Sequence, residues 1–299
     1  MEKQYPESLQ GFMDQFATED ACRNYLSNVR WGGGFVCPRC SNTEAWIHAR
    51  GIFRCKGCQR DISVTAGTIF HKRHLPLRIW FQALWSVVSQ KNGVSALGLS
   101  RSLGINRQKT GWHLLSIIRT AMVRIGRERL SGTIEVDEVF IGGVKSGKRG
   151  RGALGKVLVL VAVEDKGSAG IGRIRMMIIP NASAPTLRKA IELLIEPGST
   201  IRTDGWPGYL SITKHGYKHI VVERHPTEPG DDPTPLVHRI ASLLKRWLLG
   251  THQGGVRTEH LSEYLNEFVF RFNRRKSHSR GKLFYRLVQG MLHVTDRKG

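Results

Sequence analysis

The sequence predicts an α/β protein, α+β overall, built from three consecutive modules. Three observations carry this prediction: two Cys-x-x-Cys pairs near the N-terminus, helical periodicity after Pro76, and strand and helix signals in alternation from Thr133 onward. The predicted modules are residues 1–70, an N-terminal helix and cysteine-rich segment; residues 71–130, a helical segment; and residues 131–299, a domain with a mixed central sheet and a basic C-terminal helix.

The composition indicates a folded protein with an anionic partner. Its 299 residues include 46 Lys+Arg and 24 Asp+Glu, for a formal net charge of +22, and 40% are hydrophobic. These values exclude collagen and wholesale disorder, and they favour nucleic acid as the partner. The longest apolar run, 157–163, is too short to span a membrane, and the polar start at Met1 does not resemble a signal peptide. We therefore expect a cytoplasmic protein without a membrane partner.

The first module contains two cysteine pairs, each with two residues between its thiols. The paired residues are Cys37, Cys40, Cys55 and Cys58. A tight turn of this spacing lets both sulfurs reach one ion, and the 14 residues between the pairs suit a short hairpin. The pattern predicts a zinc ribbon with a structural Zn²⁺; chance pairing or a redox dithiol is the alternative, and His48 is an alternative ligand. The fifth cysteine, Cys22, is expected to pack in a helix over Thr18 to Ser27.

The second module is predicted to contain a helix-turn-helix. Ser95 is expected to cap a short helix, Gly104 to permit a left-handed turn, and Asn106 to cap a second helix that runs to about Arg124. The first two turns of that second helix enter the major groove in this motif. The polar and basic residues predicted there to bind DNA are Arg107, Gln108, Lys109 and His113. A plain helical hairpin is the alternative, but basic residues at a helix N-terminus oppose the macrodipole and favour a DNA contact.

The third module has the element order of a ribonuclease H-like domain. Three consecutive strands, a helix, another strand and terminal helices make this order. The predicted strands are 133–141, 157–163, 172–179 and 199–203, and the predicted helices are 183–195, 238–249 and 259–272.

Two aspartates of this module are candidates for metal binding. Asp137 lies in a strand built for burial, where an unpaired carboxylate would be costly unless a cation compensates it. Asp204 ends a strand just before Gly205, at an edge where loops expose chemistry. In this fold the first and fourth strands are adjacent, so the two carboxylates should meet and require a cation. The alternatives are a satisfied buried acid at Asp137 and a turn residue at Asp204.

Two glutamates flank Asp137 with different predicted roles. Side chains alternate along a strand, so Glu135 shares the face of Asp137 and is the auxiliary candidate. Glu138 points to the other face and is expected to form a salt bridge.

Several independent stretches match one known protein family between about residues 10 and 290. These stretches are CPRC with CKGC, TAGTIFHKRHLPLRIW, GVSALGLSRSLG, EVDEVFIGG, GKRGRGALGK, TDGWPGY, VHRIASLLKRWLLGTHQG and YLNEFVFRFNRR. By them the sequence resembles bacterial insertion-sequence transposases with an N-terminal zinc ribbon and a DDE-type catalytic domain, the insertion sequence fifteen-ninety-five family. The resemblance implies that Asp137 and Asp204 are the first two metal-binding acids, and that Lys245 is the lysine that follows the third.

The third acid is the point at which this sequence departs from the resemblance. His238 stands where many relatives carry Glu or Asn, and it shares one stripe of the predicted helix with Lys245. An imidazole can bind a divalent ion, but Mg²⁺ prefers oxygen ligands and Mn²⁺ accepts nitrogen more readily, so we expect Mg²⁺ or Mn²⁺ with better function in Mn²⁺. A surface histidine is the alternative, with Asp231 and Asp232 as alternative acids.

The resemblance implies a DNA transposase that cleaves transposon ends and transfers the 3′-hydroxyl into target DNA by two-metal-ion chemistry. The implied partners are double-stranded DNA, at the transposon ends and the target, and a second copy of the chain, at least a dimer in the DNA complex, associated with the bacterial nucleoid. Further basic residues are expected to bind phosphates rather than to form a solvated face: Lys148, Arg149, Arg151, Arg274 and Arg275. The alternative function is a DNA-binding regulator, derived from a transposase, whose catalytic domain is inactive.

Overall fold

The computed structural model describes residues 5–48, 51–123, 126–142, 156–222, 232–253 and 257–293. The elements up to the helix-turn-helix are α1 (Leu9–Gln15), α2 (Glu19–Trp31), β1 (Ala45–His48), β2 (Ile52–Cys55), β3 (Asp61–Ser63), α3 (Leu77–Ser89), α4 (Ala96–Ser102) and α5 (Gln108–Ala121). The later elements are β4 (Thr133–Ile141), β5 (Val157–Asp165), β6 (Ile171–Ile179), α6 (Ala184–Leu194), β7 (Thr200–Thr203), β8 (Lys218–Val221), α7 (Pro235–His252), α8 (Leu261–Asn273) and α9 (Arg280–His293).

The chain divides into two compact units. One contains Met1–Arg124 with Ser277–Gly299, and the other contains Ile125–Lys276. The structure therefore differs from the predicted modules: it joins residues 1–70 and 71–130 in one unit, and it places α9 in that unit instead of the last module, because α9 packs against α2, α3 and α5. Within the described ranges, no helix is both long and apolar enough to cross a membrane.

Aromatic side chains form the helical core of the first unit. Phe284 of α9 lies 5.5 Å, between ring centroids, from Phe12, Phe16 and Phe81 alike. A buried cluster of this size from three separate helices explains why α9 joins the first unit. The carboxylate of Glu19 in α2 also accepts the backbone N–H of Leu77 at 2.6 Å, so an acidic side chain binds the N-terminus of α3.

The strands β1, β2 and β3 form an antiparallel three-stranded sheet. Its small core contains Phe35, Phe53 and Ile62, with Trp31 at the end of α2 only 4.4 Å from Phe53 between ring centroids. This amount of apolar surface is too small to stabilise such a sheet alone, so a further constraint is expected.

The helices α4 and α5 form a helix-turn-helix. The side chain of Ser95 accepts the N–H of Gly98 at 3.0 Å and caps α4, and Gly104 turns the chain with a φ of 64°. The two helices approach closely at Gly111, where an added Cβ would lie 2.9 Å from the carbonyl oxygen of Ala96. This packing explains why α5 carries a glycine in its interior.

The start of α5 differs from the prediction. Arg107, not Asn106, is the N-cap residue, and its side chain makes no capping hydrogen bond. The first turn of α5 therefore keeps backbone N–H groups that no side-chain cap satisfies.

The second unit is built on a five-stranded sheet of order β6-β5-β4-β7-β8. The strands β4, β5 and β6 pair antiparallel, whereas β7 is parallel to β4 and β8 is parallel to β7. This mixed sheet has the order and directions of a ribonuclease H-like domain, so the predicted fold class is confirmed.

Helices cover both faces of this sheet. One face packs against α7 and α8 through residues such as Val161, Ile240 and Phe268. The other packs against α6 and the short 3₁₀ helix Pro207–His215. Because side chains alternate along β4, Ile134 and Val136 face α6, and the odd-numbered positions face α7.

Candidate functional site

The four paired cysteines gather at one end of the small sheet. Their Sγ atoms all lie within 4.8 Å of one another, and Cys37 and Cys58 are separated by 3.8 Å. Zn–S bonds of about 2.3 Å in a tetrahedron place sulfurs roughly 3.8 Å apart. The donor set and its spacing therefore fit one Zn²⁺, and the structural zinc suggested by the sequence is supported.

Each cysteine pair lies in the same kind of backbone turn. The N–H of Ser41 donates to the carbonyl of Cys37, and the N–H of Gln59 donates to the carbonyl of Cys55, both at 2.9 Å. Ser41 and Gln59 adopt left-handed φ values of 58° and 56°. Desolvation opposes ionisation of Cys37, but backbone hydrogen bonds, including one from Cys40, lower the pKa of its thiol to about 6. Thiolate is the form that binds a metal.

Asp137 lies on the central strand β4, and its carboxylate is held on both oxygens. Its Oδ2 accepts the Thr234 hydroxyl at 2.8 Å, and its Oδ1 accepts the backbone N–H of Glu138 at 2.7 Å. The residue is 8% exposed. Burial raises the pKa of Asp137, and the charge of Asp204 raises it further, against the lowering effect of its hydrogen bonds and of His238. An acid in this environment gains from a nearby cation.

Asp204 follows β7 and is exposed. The parallel register pairs Glu135 with Arg202, and the same register continued two residues further sets Asp137 opposite Asp204. One Asp204 oxygen accepts the N–H of Trp206 at 3.1 Å, so this residue also stabilises the turn after the strand. This hydrogen bond uses one oxygen of the Asp204 carboxylate, so the second oxygen can still face Asp137.

His238 lies in the first turns of α7, with its side chain 51% exposed. One ring nitrogen, Nε2, is 3.4 Å from Asp137 Oδ2. The other, Nδ1, is 2.7 Å from Asp232 Oδ1. Asp137 of β4 and His238 of α7 therefore lie next to each other, and Asp204 at the end of β7 is near enough for its charge to raise the pKa of Asp137. Among the described residues, only the four cysteines form a metal-sized group with all donor atoms within 4.8 Å. Asp231, the other alternative acid, lies outside the described residues.

Glu135 shares the face of Asp137, but its carboxylate binds the N-terminus of α7. It is fully buried, and its Oε1 accepts the backbone N–H of Val237 at 2.7 Å. Burial raises its pKa. A carboxylate at a helix N-terminus is favoured by the macrodipole, so Glu135 fixes where α7 begins. Glu138 points to the opposite face, where it accepts the hydroxyl of Tyr209 at 2.6 Å.

Lys245 is exposed on α7, two turns after His238. The apolar side of the helix buries Ile240 and Leu244, with Leu243 and Trp247 packed partly against the same core. The predicted division of this helix into an apolar stripe and a polar stripe is therefore present.

The predicted DNA-binding residues have different environments. At the start of α5, the four predicted residues are all exposed: Arg107, Gln108, Lys109 and His113. At the end of α8, Arg274 lies over the ring of Phe270 at 4.1 Å, and Arg275 donates to the carbonyls of Ile171 and Gly172 at the start of β6. Arg275 therefore links the end of α8 to the start of β6. Lys148, Arg149 and Arg151 lie outside the described residues.

Sequence reasoning assigned no role to Thr234, and it considered Asp232 only as an alternative acid. Thr234, fully buried, binds Asp137 directly, and Asp232 binds His238. Thr234 followed by Pro235 is a common start of a helix and could have placed the beginning of α7 correctly, three residues before the predicted start at His238. No local pattern indicates that this start lies against β4.

Family descriptions match two parts of the chain. The ISXO2-like transposase domain matches residues 129–273, and the transposase zinc-ribbon domain matches residues 17–61. The chain is also 26% identical, over 283 residues, to an uncharacterized protein in the transposable element ISH50 of Halobacterium salinarum, in a match that covers 86% of this chain and 91% of that protein.

Two solved structures are similar to parts of the chain. The catalytic core domain of BIV integrase is 18% identical, with a TM-score of 0.31, and the match covers 46% of this chain and 81% of that one. A chain of the simian T-cell lymphotropic virus intasome, in complex with PP2A regulatory subunit B56 gamma, is 17% identical, with a TM-score of 0.31, and the match covers 61% of this chain and 66% of that one.

Proposed function

We propose that this chain, which belongs to the insertion sequence fifteen-ninety-five family of transposases, cleaves DNA at transposon ends and joins the freed 3′-hydroxyl to target DNA. One observation supports this proposal more than any other. Three chemically suited side chains, Asp137, Asp204 and His238, come from separate elements to one edge of the ribonuclease H-like sheet, with His238 Nε2 at 3.4 Å from Asp137 Oδ2.

The proposed residues fit divalent metal ions through their donor atoms and their charge. Asp137 is buried, and the charge of Asp204 raises its pKa, so the pair favours a shared cation. Two carboxylates and an imidazole would hold the ions. When bound, such ions would polarise the scissile phosphate and activate the attacking hydroxyl or water.

The reaction needs no nucleotide cofactor because each step exchanges one P–O bond for another. In hydrolysis, water attacks the phosphorus and the 3′-oxygen of the transposon end leaves as a hydroxyl. In strand transfer, that 3′-hydroxyl attacks a target phosphate, loses its proton, and displaces a 3′-oxygen of the target strand, which takes up a proton.

The surrounding residues would position this chemistry. Thr234 and the backbone of Glu138 fix the orientation of Asp137, and Glu135 fixes the start of α7 through Val237. Lys245 extends from the same helix, where it would bind a phosphate of the DNA. The exposed basic residues at the start of α5 would contact the transposon end in a major groove.

The test is nicking of DNA that contains a transposon end, in Mn²⁺, by the wild type and by Asp137→Ala. We expect nicking by the wild type and none by the variant, while Glu196→Ala, which removes an exposed acid of the same unit, should behave as the wild type. Equal nicking by the wild type and Asp137→Ala would refute the catalytic assignment. Tight DNA binding without nicking by either protein would favour the regulator instead.

A further inference from the structure

We infer that Asp232 is a positioning residue: its carboxylate holds the Nδ1–H of His238, so that the Nε2 lone pair faces the carboxylate of Asp137. This inference rests on the proposed function, since it concerns how His238 serves as a metal ligand in place of the third acid. It assigns to Asp232 a role through His238 and not a place in the metal shell.

The two nitrogens of His238 have unequal partners. Nδ1 lies 2.7 Å from Asp232 Oδ1 and 2.8 Å from Oδ2, the length of a strong charge-assisted hydrogen bond. Nε2 lies 3.4 Å from Asp137 Oδ2, which is long for a hydrogen bond. Two ligand atoms bound to one ion at about 2.1 Å are separated by roughly 3.0 to 3.5 Å, so the wider gap suits a shared ion.

The position of the proton between Asp232 and His238 follows from the chemistry of the acceptor. An ionised carboxylate can only accept a hydrogen bond, so Nδ1 must carry the proton and the neutral ring keeps its lone pair on Nε2. A carboxylate in this position commonly orients a histidine ligand and raises its basicity. His238 needs such a partner because half of its side chain is exposed, and the ring would otherwise rotate freely.

Asp232 itself is held by the backbone that leads into α7. Its Oδ1 accepts the N–H of Thr234 at 3.1 Å, and Thr234 binds Asp137 through its hydroxyl. The N–H of His238 donates to the carbonyl of Thr234 at 3.0 Å. The orienting acid, the oriented histidine and the carboxylate that it faces are therefore linked through one short segment.

The substitution Asp232→Asn tests the orientation of the His238 ring without disturbing the local fold. An asparagine keeps the oxygen that accepts the N–H of Thr234, so the turn before α7 is retained. Its amide nitrogen takes the place of Oδ2, 2.8 Å from Nδ1 of His238, and the negative charge is lost. Because an amide nitrogen only donates, the proton is no longer held on Nδ1 alone, and part of the population carries it on Nε2. The Nε2 lone pair needed for the metal is then available in only part of the molecules, while the shape of the residue is unchanged.

We expect Asp232→Asn to weaken Mn²⁺ binding by about 10-fold to 100-fold, measured by calorimetric titration of the full zinc-loaded chain. Nitrogen-15 spectra of the metal-free protein at pH 8 should show the proton of His238 on Nδ1 in the wild type and shared between Nδ1 and Nε2 in the variant, with His238→Gln identifying the signals. The thermal midpoint should stay the same. Unchanged Mn²⁺ affinity, or a wild-type ring with its proton on Nε2 or on both nitrogens, would overturn the inference.

The same substitution made in the variant His238→Glu tests whether Asp232 acts through His238. In His238→Glu there is no ring to orient, so Asp232→Asn should leave Mn²⁺ affinity within about twofold. An equal loss in both backgrounds would contradict a positioning role. Asp137→Asn in the same titration distinguishes the two proposals: if it loses Mn²⁺ binding and Asp232→Asn does not, only the inference fails, and if it binds as the wild type does, the proposed metal site fails as well.

Discussion

The zinc ribbon takes its four thiols from two short turns of one segment, whereas the proposed catalytic edge of the larger sheet takes Asp137, Asp204 and His238 from three distant elements. The ribbon cysteines have all their sulfurs within 4.8 Å, so the protein supplies every ligand. The catalytic edge is more open, with Asp204 exposed and His238 half exposed. A closed set of ligands suits a structural ion, and an open set leaves room for substrate. We therefore expect a metal in the ribbon to maintain the fold and a metal at the proposed site to serve the reaction.

The largest expected effect is the loss of ribbon structure when its zinc is lost. Zinc binding to a small module contributes about 10 kcal/mol, far more than its few core side chains. In Cys58→Ser, hydrogen exchange of the backbone amides in β1, β2 and β3 should become fast, while exchange in β5 stays slow.

A matched control uses the cysteine outside the cluster. Cys22 is fully buried in α2, so Cys22→Ala should lower the free energy of unfolding by about 1 kcal/mol and keep one zinc per chain. Protected ribbon amides in zinc-free Cys58→Ser would contradict a structural role for the zinc, because the ribbon would then not need its ion.

A smaller effect on stability is expected at Glu164, a buried acid whose charge is balanced by an arginine of the same sheet. Glu164 is 2% exposed and binds Arg173 Nη2 at 2.7 Å. Burial opposes its ionisation, but the hydrogen bonds and charge of Arg173 lower its pKa, the reverse of Asp137. We expect Glu164→Gln to reduce the free energy of unfolding by about 2 kcal/mol at pH 7, measured by urea titration.

The pH dependence of this loss follows from the lowered pKa. A carboxylate with a depressed folded-state pKa stabilises the protein above its ordinary pKa, near 4.5, and loses that contribution as the pH falls through the lower value. The gap between the wild type and Glu164→Gln should therefore close in acid. The exposed pair Arg257–Glu259 provides the control, and Glu259→Gln should change stability by less than about 0.5 kcal/mol. A gap that widens in acid would contradict this account of Glu164.

The smallest effect is a change of metal preference at the open site. His238→Glu replaces a nitrogen donor by oxygen, which Mg²⁺ prefers. We expect the ratio of Mg²⁺-supported to Mn²⁺-supported nicking to rise about tenfold. Arg239→Glu adds the same side chain one position along α7, away from Asp137, and should leave the ratio unchanged. No change in His238→Glu would remove His238 from the metal shell.

Local sequence patterns were sufficient to predict the four cysteines of the ribbon and most strands of the larger sheet. The cysteine spacing identified all four thiols because their geometry is set within each turn, and the alternating pattern of β4 predicted its bounds, Thr133–Ile141, correctly. The short strand β8 was missed because it has only four residues, none of them buried, and so carries little periodic signal.

The contacts that complete the catalytic edge could not be predicted in this way. The bonds from Thr234 to Asp137 and from Val237 to Glu135 join residues about 100 positions apart, and nothing in either segment records its partner. Likewise, α9 was not expected in the first unit, because its aromatic contacts depend on tertiary packing.

The measurement that tests the account most directly is the nicking rate of end-containing DNA by Asp137→Asn, by Asp204→Asn and by the double variant. The two carboxylates are proposed to act as one unit, so each single change should lower the rate about 1,000-fold and the double variant should be no slower than the single variants. A single variant that nicks DNA at the wild-type rate would contradict the account.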